Sequence, residues 1–213
     1  MNKLIIFVLL TLSSYAFAAE YEEGTHFVAL EKPIATKDPD KIEVTEYFFY
    51  GCSHCFEFDP ALALWVKNQA EDVVFNRTPV TWAAPHTILA RTYYTAEALG
   101  VLEKIHLPLF QAVQQQRVNS PESIALFFGE HGVDPVDFAR MFASFPVDRN
   151  TREAAARGKA YGLAVPVPAM IVNGKYRIEG SMAGGNANML RVASYLIEVE
   201  RQAKVAAEVP AEQ

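Results

Sequence analysis

The chain has 213 residues, 51% of them hydrophobic and 21% charged, which is an ordinary composition for a globular protein. Its 19 basic and 25 acidic side chains give a formal net charge of −6, and this acidic excess argues against a nucleic-acid partner. Beyond the N-terminus no apolar run approaches the roughly 18 residues that a membrane-spanning helix needs, so a soluble mature protein is expected.

Residues 1–18 have the pattern of a cleavable signal peptide. A positive start with Lys3 precedes an apolar region of nine residues from Leu4 to Leu12, and Ala16-Phe17-Ala18 fits the small-x-small cleavage rule. Nine residues are too few to span a bilayer, although an uncleaved anchor is the alternative. Cleavage near Ala19 would remove Lys3 and change the net charge from −6 to −7.

The first half of the mature chain predicts a strand, a helix and a second strand. Residues 19–41 look irregular, and the β-branched and aromatic run from Ile42 to Tyr50 then predicts a buried strand that Gly51 ends. Helical spacing begins at Cys52 and brings Cys55, Phe58, Leu62 and Trp65 or Val66 to one face. Val73 to Val80 predicts the second strand.

Residues 83–162 predict several helices joined by short loops. Ser120-Pro121 and Asp134-Pro135 pair a capping residue with proline, as is typical of helix starts, and another helix is expected from Asp148 to about Tyr161. Seven apolar side chains are expected to give this segment its own core: Leu126, Phe127, Phe128, Phe138, Met141, Phe142 and Phe145.

A β pattern returns at Ala169–Val172, and Asn173-Gly174 predicts a hairpin turn into a strand from Lys175 to Ile178. A final helix is expected from Asn188 to about Lys204, with a frayed tail from Ala206.

This order of elements predicts one α/β unit with an all-helical insertion. Residues 19–82 and 163–213 would form the unit, and residues 83–162 the insertion between its second and third strands.

Cys52 and Cys55 are the only cysteines in the chain. A disulfide across so short a loop gains little from loop entropy, so a chemical role explains the pair better than a structural one. Cys52 would lie at a helix N-terminus, where free N–H groups and the helix dipole favour a thiolate, and His54 can add positive charge or a hydrogen-bond donor. We therefore expect Cys52 to be the exposed attacking thiol and Cys55 the buried resolving thiol.

Half of a metal site is the alternative interpretation of the cysteine pair. Zinc would need about four ligands, but the remaining candidates, His26, His86, His106 and His131, are single and scattered. No metal is therefore expected.

Two segments carry a family resemblance. Tyr50-Gly51-Cys52-Ser53-His54-Cys55-Phe56 resembles the active-site segment of the thioredoxin superfamily, and the histidine points to its DsbA branch. The run from Val167 to Tyr176 resembles that branch's second signature, a loop with a cis-proline. The similarity covers nearly all of the mature chain and implies a thioredoxin-like fold with an inserted all-helical domain. Ser53 replaces the proline of the best-known members and leaves the redox potential open.

The resemblance implies a periplasmic thiol:disulfide oxidoreductase that oxidises newly exported proteins. A substrate thiolate would attack the Cys52–Cys55 disulfide at Cys52, and the substrate's second thiol would resolve the mixed disulfide. A quinone-linked membrane partner similar to DsbB would reoxidise the enzyme, which is expected to be a monomer without a further cofactor. A reductase or isomerase of the same superfamily is one rival interpretation, and a binding module, either a metal carrier or a chaperone, is the other.

Pro168 matches the family's cis-proline, and the backbone of Val167 would then pair with an extended substrate segment. From the residues alone, two ordinary trans prolines, Pro166 and Pro168, entering a strand are the alternative.

Two acidic residues match positions that the family places beneath the disulfide. Glu46 shares a strand face with apolar residues, so its pKa is expected to be raised, and Asp59 lies on the helix face of Cys55. The implied role is proton transfer to or from Cys55, with Arg77 balancing one carboxylate. A structural ion pair or solvated surface charges are the alternative.

Most aromatic residues near these segments are expected in the core, namely Phe48, Phe49, Phe56, Trp65, Trp82, Tyr93 and Tyr94. Those near Trp82 to Pro85 are expected to line an apolar groove beside the cysteines that suits unfolded substrates.

Overall fold

A computed structural model describes residues 21–162 and 165–208, so the predicted signal peptide lies outside the described residues. The elements in these ranges are β1 Val28–Ala29, β2 Ile42–Phe48, α1 Ser53–Lys67, β3 Val73–Pro79, α2 Ala84–Ala98, α3 Leu102–Gln114, α4 Pro121–Glu130, α5 Pro135–Phe142, α6 Phe145–Tyr161, β4 Ala169–Val172, β5 Tyr176–Glu179, α7 Gly180–Ala183 and α8 Asn186–Glu208. No helix among the described residues is both long and apolar enough to cross a membrane.

The five strands form one sheet in the order β1-β5-β4-β2-β3. β2 pairs parallel with β3 through the crossover helix α1, and antiparallel with β4 on its other side. Because β2 lies inside the sheet, all seven of its residues are buried, including Glu46. Helix α1 follows the carboxyl end of β2, so its N-terminus, with Cys52, lies at that end of the sheet.

The hairpin from β4 to β5 turns at Asn173 and Gly174 as predicted. Both residues have positive φ, 50° and 62°, a backbone region that asparagine and glycine adopt more readily than other residues. Glycine is also needed for space, because a Cβ at position 174 would collide with the carbonyl oxygen of Ile34. The Lys175 N–H donates to the Val172 carbonyl and so belongs to the turn. The return strand therefore begins at Tyr176 instead of Lys175.

Two other predicted boundaries are wrong for local hydrogen-bonding reasons. The first predicted strand stops at Phe48, two residues early, because the chain turns and the Cys52 N–H donates to the Phe49 carbonyl. Helix α6 begins at Phe145 instead of Asp148, because the Ser144 side chain accepts the N–H of Val147 and Pro146 fits the first turn.

Two segments near the ends of the described residues are more regular than predicted. The supposedly irregular segment 19–41 includes β1, which pairs antiparallel with β5. Helix α8 begins at Asn186 and continues through residues 206–208, where fraying was expected, with Lys204 Nζ donating to the carbonyls of Pro39 and Lys41. The short helix α7 was not predicted.

Helices α2–α6 enclose a core that reaches the cysteines. The helix starts at Ser120-Pro121 and Asp134-Pro135 are confirmed, since both capping side chains accept backbone N–H groups. Leu126 and Phe145, predicted to be in this core, are 71% and 70% exposed because they lie on outer helix faces. The core enclosed by α2–α6 also contains the buried side chains of Phe48, Tyr50 and Cys55, so the helical segment packs directly against the start of α1.

Candidate active site

Cys52 is the N-cap residue of α1, in extended conformation with φ −89° and ψ 117°. Its half-buried thiol lies 3.4 Å from the carbonyl oxygen of Val167. The pKa of Cys52 is lowered from 9.0 to about 6, first by a hydrogen bond from the Cys55 thiol and then by the backbone N–H groups of Cys55 and His54, against the opposing effect of burial. The helix start therefore stabilises a thiolate.

Cys55 lies one turn into α1 and is completely buried. Burial raises its pKa, and the hydrogen bond to Cys52 and the nearby charge of Glu46 raise it further. Both cysteines are free thiols here. Because their pKa values move in opposite directions, Cys52 ionises first. Cys55 is buried as expected, whereas Cys52 is half-buried instead of exposed.

The imidazole of His54, between the cysteines, is exposed, and its electrostatic interaction with Cys52 contributes to the low pKa of that thiol. The carbonyl oxygen of His54 lies 3.5 Å from the side-chain nitrogen of Asn186, which begins α8.

The loop before β4 faces Cys52. The Val167–Pro168 peptide bond is cis, so the alternative with a trans Pro168 is wrong. Pro168 is buried, whereas Pro166 is exposed. A cavity of about 240 Å³ lies beside this loop and is lined by His54, Pro166, Val167, Pro168, Gly180, Ser181 and Asn186.

A buried ion-pair cluster links the sheet to α1. Arg77 donates through Nε to Glu46 Oε2 and through Nη2 to Asp59 Oδ1, both at 2.8 Å. Arg77 thus binds both predicted carboxylates, where the sequence suggested that it balances one.

Glu46 and Asp59 ionise very differently within this cluster. Glu46 is fully buried and its Oε1 has no hydrogen-bond partner among the described residues. Burial raises its pKa from 4.5 to about 7, although Arg77 opposes the shift. Burial also acts to raise the pKa of Asp59, but His106 and Arg77 outweigh it and lower that pKa. Asp59 is therefore charged at neutral pH, whereas Glu46 titrates there.

His106 was not among the predicted site residues, because the sequence showed it only as one of four single, scattered histidines. On α3, His106 Nε2 lies 3.3 Å from Asp59 Oδ1, close enough for electrostatic contact though poorly aligned for a hydrogen bond, and Nδ1 lies 2.8 Å from the Tyr50 hydroxyl. A signal was present, since Ile105, Leu109 and Phe110 give this helix an apolar face that includes a polar side chain.

Trp82, expected to line an apolar groove beside the cysteines, does not line the apolar cavity found along α2 and α3. Trp82 is 52% exposed and packs against Tyr47 and His86 instead of lining it. A mainly apolar cavity of about 380 Å³ is lined by Pro85, Ile88, Leu89, Val113, Gln116, Val118, Asn119 and Ile124. Gln114, at the same end of α3, donates to the Tyr50 carbonyl at 2.9 Å and so connects this wall to the cysteine segment.

Comparison with known proteins gives a consistent result. The family model for the DSBA-like thioredoxin domain matches residues 63–197. The thiol:disulfide interchange protein DsbA of Azotobacter vinelandii is 37% identical over 201 residues, covering 93% of this chain and 94% of the relative. The Pseudomonas aeruginosa DsbA is 35% identical over 209 residues, covering 95% and 99%.

Solved structures agree in fold. The crystal structure of Pseudomonas aeruginosa DsbA superposes with a TM-score of 0.83 at 35% identity, covering 88% of this chain and 98% of that one. The oxidoreductase DsbA from Xylella fastidiosa gives a TM-score of 0.79 at 30% identity, covering 85% and 98%. The chain belongs to the DsbA family. It is a thiol:disulfide oxidoreductase, and the predicted thioredoxin-like fold with helical insertion is confirmed.

Family membership leaves the roles of individual residues as predictions. The match to the family model begins after both cysteines, so it does not assign them. Among the described residues, no group of three or more His, Cys, Asp or Glu side chains is placed to hold a metal ion.

The ionisation of Cys52 is directly testable. We expect the thiolate absorbance of the reduced protein to appear with a midpoint near pH 6, well below the value of about 8.5 for free cysteine. Cys55→Ala removes the strongest donor to the thiolate, so its midpoint should be higher than that of the unaltered protein. A midpoint near 8.5 before any substitution would contradict the described helix-start environment.

Glu46 is predicted to destabilise the reduced protein as the pH rises. A carboxyl whose pKa is about 7 when folded and 4.5 otherwise costs nothing below pH 4.5, and its cost grows as the pH rises through 7. The full cost is about 3 kcal/mol. Glu46→Gln removes this cost, but its amide N–H lacks a hydrogen-bond acceptor, which destabilises the variant by about 1 kcal/mol.

We therefore expect Glu46→Gln to stabilise the protein by about 2 kcal/mol at pH 8 and to lose this advantage at pH 4.5. Urea unfolding of the reduced protein at both pH values measures the difference. An equal effect at the two pH values would show that Glu46 does not titrate between them.

Proposed function

We propose that the protein is a dithiol oxidase that donates the Cys52–Cys55 disulfide to cysteine pairs of exported proteins. The observation that carries the proposal is the asymmetric cysteine pair, in which a half-buried Cys52 ionises readily beside the cis-proline loop and Cys55 is buried with a raised pKa. A disulfide whose reduction yields a stabilised thiolate is readily reduced, and it is therefore an oxidant.

The reaction begins when a substrate thiolate attacks Cys52 Sγ. A bond forms between the substrate sulfur and Cys52 while the Cys52–Cys55 bond breaks, and the electron pair passes to Cys55, which takes up a proton. The substrate's second thiolate then attacks the sulfur bound to Cys52. The substrate leaves as a disulfide, and Cys52 departs as the thiolate that the helix start stabilises.

Glu46 is the proton donor that we propose for Cys55. Its pKa of about 7 lets it hold or release a proton at neutral pH, and its carboxylate interacts electrostatically with both cysteines. Asp59 is held ionised by Arg77 and His106, which supports an electrostatic role for Asp59 in place of the proton transfer first expected for it.

Two surfaces support binding of unfolded substrates. The backbone of Val167 would pair with an extended segment next to the mixed disulfide, with Pro168 fixing the loop. The apolar cavity along α2 and α3 would take up hydrophobic side chains flanking the substrate cysteine. Both surfaces would bind extended backbone or exposed hydrophobic side chains, which an unfolded substrate presents.

Cellular context follows from the N-terminal sequence and the chemistry. The signal-peptide pattern of residues 1–18 supports export to the periplasm, where disulfides persist. Each turnover leaves the enzyme reduced, so a membrane oxidase similar to DsbB, linked to quinone, is proposed to reoxidise it. We propose that the protein acts as a monomer.

Redox titration against glutathione separates an oxidase from a reductase. We expect a midpoint at pH 7 above about −200 mV, more oxidising than the roughly −270 mV of thioredoxin. A potential near that of thioredoxin would instead support a reductase and overturn the proposal. The pH dependence is a second readout, since the slope should change from about 59 to about 30 mV per pH unit once Cys52 is ionised.

A further inference from the structure

A buried histidine connects the helical segment to the charges beneath the cysteines. His106 on α3 is only 6% exposed, and its ring lies among the rings of Phe48, Tyr50, Tyr93 and Phe110. Burial lowers the pKa of His106, so its imidazole is neutral at neutral pH. A neutral imidazole has one nitrogen that donates and one that accepts.

Asp59 and Tyr50 together determine which nitrogen carries the proton. Nε2 lies 3.3 Å from Oδ1 of Asp59, an ionised carboxylate that can only accept, so the imidazole proton is on Nε2. Nδ1 then accepts from the Tyr50 hydroxyl, which lies 2.8 Å away and keeps its proton because burial raises its pKa well above the usual value. His106 therefore directs an N–H toward a carboxylate that Arg77 also binds.

Asp59 and Glu46 share one guanidinium. Among the described residues Arg77 is the hydrogen-bond donor to Asp59, with His106 Nε2 as a further polar neighbour at 3.3 Å, and Arg77 uses separate nitrogens for the two carboxylates. Without His106, the charge of Asp59 would depend on Arg77 alone, and less of the guanidinium would be available to Glu46.

We propose that His106 is a positioning residue for the thiol-disulfide reaction: by holding Asp59 it keeps Arg77 on Glu46 and so sets how readily Glu46 releases its proton. The role of the Glu46 proton in the thiol-disulfide reaction rests on the proposed function, whereas the effect of His106 on the ionisation of Glu46 does not. The groups that face His106 are Tyr50 after β2, Asp59 on α1, Arg77 on β3, Tyr93 on α2 and, on α3 itself, Glu103.

The test is an NMR titration of the Glu46 carboxyl carbon in the full reduced protein. The midpoint of the unaltered protein should lie near pH 7. In His106→Leu, which keeps the volume but removes both nitrogens, we expect it to rise by about one pH unit, a tenfold change in the ionisation constant. His106→Gln retains an N–H and should stay within about 0.3 units.

Ile105→Val is the matched control for loosened packing, because Ile105 is fully buried on the same helix and makes no ion pair. An unchanged midpoint in His106→Leu, a fall, or an equal rise in Ile105→Val would overturn the proposal. If His106→Leu does not fold, Tyr50→Phe is used instead: a smaller rise supports the assigned orientation, and no change overturns it. Because no substrate is involved, failure of the oxidase assay would leave this result unaffected.

Discussion

Cys52→Ser is expected to reduce oxidation of a reduced two-cysteine peptide by more than about a thousandfold, to the rate of the buffer alone. Serine cannot form the disulfide that carries the oxidising equivalents, and its hydroxyl is not a usable leaving group for the second step. Folding should survive, because Cys52 is a half-buried N-cap without a side-chain capping bond. Peptide oxidation followed by mass, with circular dichroism of the variant, measures both.

Cys55→Ser is the matched variant, and it should be equally inactive as an oxidase for a different reason. It retains Cys52, so its single thiol should react rapidly with an alkylating reagent near pH 7, whereas the buried Cys55 left in Cys52→Ser should react slowly. Retained oxidation in Cys52→Ser, or the reverse order of alkylation rates, would refute the assignment of attacking and resolving thiols.

Arg77→Met is expected to have the largest effect on stability, a loss of about 3–5 kcal/mol at pH 8. The substitution leaves two carboxylates, Glu46 and Asp59, without their shared cation in a site where the Glu46 side chain is fully buried. Removing one partner of a buried pair costs more than the pair contributes, because the remaining charge has lost both water and its counter-ion. Urea unfolding of the reduced protein measures the loss.

The pH dependence identifies the cause of that loss. Without Arg77 the pKa of Glu46 should rise further, so the part of the loss due to Glu46 should appear as the pH rises from about 7 through the new value, and the loss should be smaller at pH 5 than at pH 8. Adding Glu46→Gln to Arg77→Met should recover part of the stability at pH 8. A loss that is the same at both pH values, with no recovery in the double variant, would indicate lost packing of the arginine stem instead.

Local patterns in the sequence were sufficient for the elements that surround the cysteines. The buried strand, the helix start at Cys52, the hairpin at Asn173-Gly174 and the two proline helix starts depend on neighbouring residues, because backbone preferences and capping act over only a few positions. The same reasoning failed for β1, whose two residues carry no periodic signal, and for Leu126 and Phe145, whose exposure depends on which helix faces meet.

The roles of the charged residues depend on contacts between distant segments. Sequence spacing placed Glu46 on an apolar strand face and Asp59 on the helix face of Cys55, but it could not show that one arginine serves both carboxylates. Nor could it single out His106, which comes from a helix 47 positions beyond Asp59 in the chain. Pairing of β2 with β3 puts Arg77 beside Glu46, and packing of the helical segment against α1 brings His106 to 3.3 Å from Asp59.

The sequence by itself determined the cysteine pair, its place at the start of a helix and its family, because motif and local structure are short-range properties. The tertiary structure alone decided that one arginine binds both carboxylates, that His106 lies against Asp59, and that Asp59 stays ionised while Glu46 titrates near neutral pH. Those properties depend on loss of water and on the positions of opposite charges, and both are set only when residues far apart in the chain pack together.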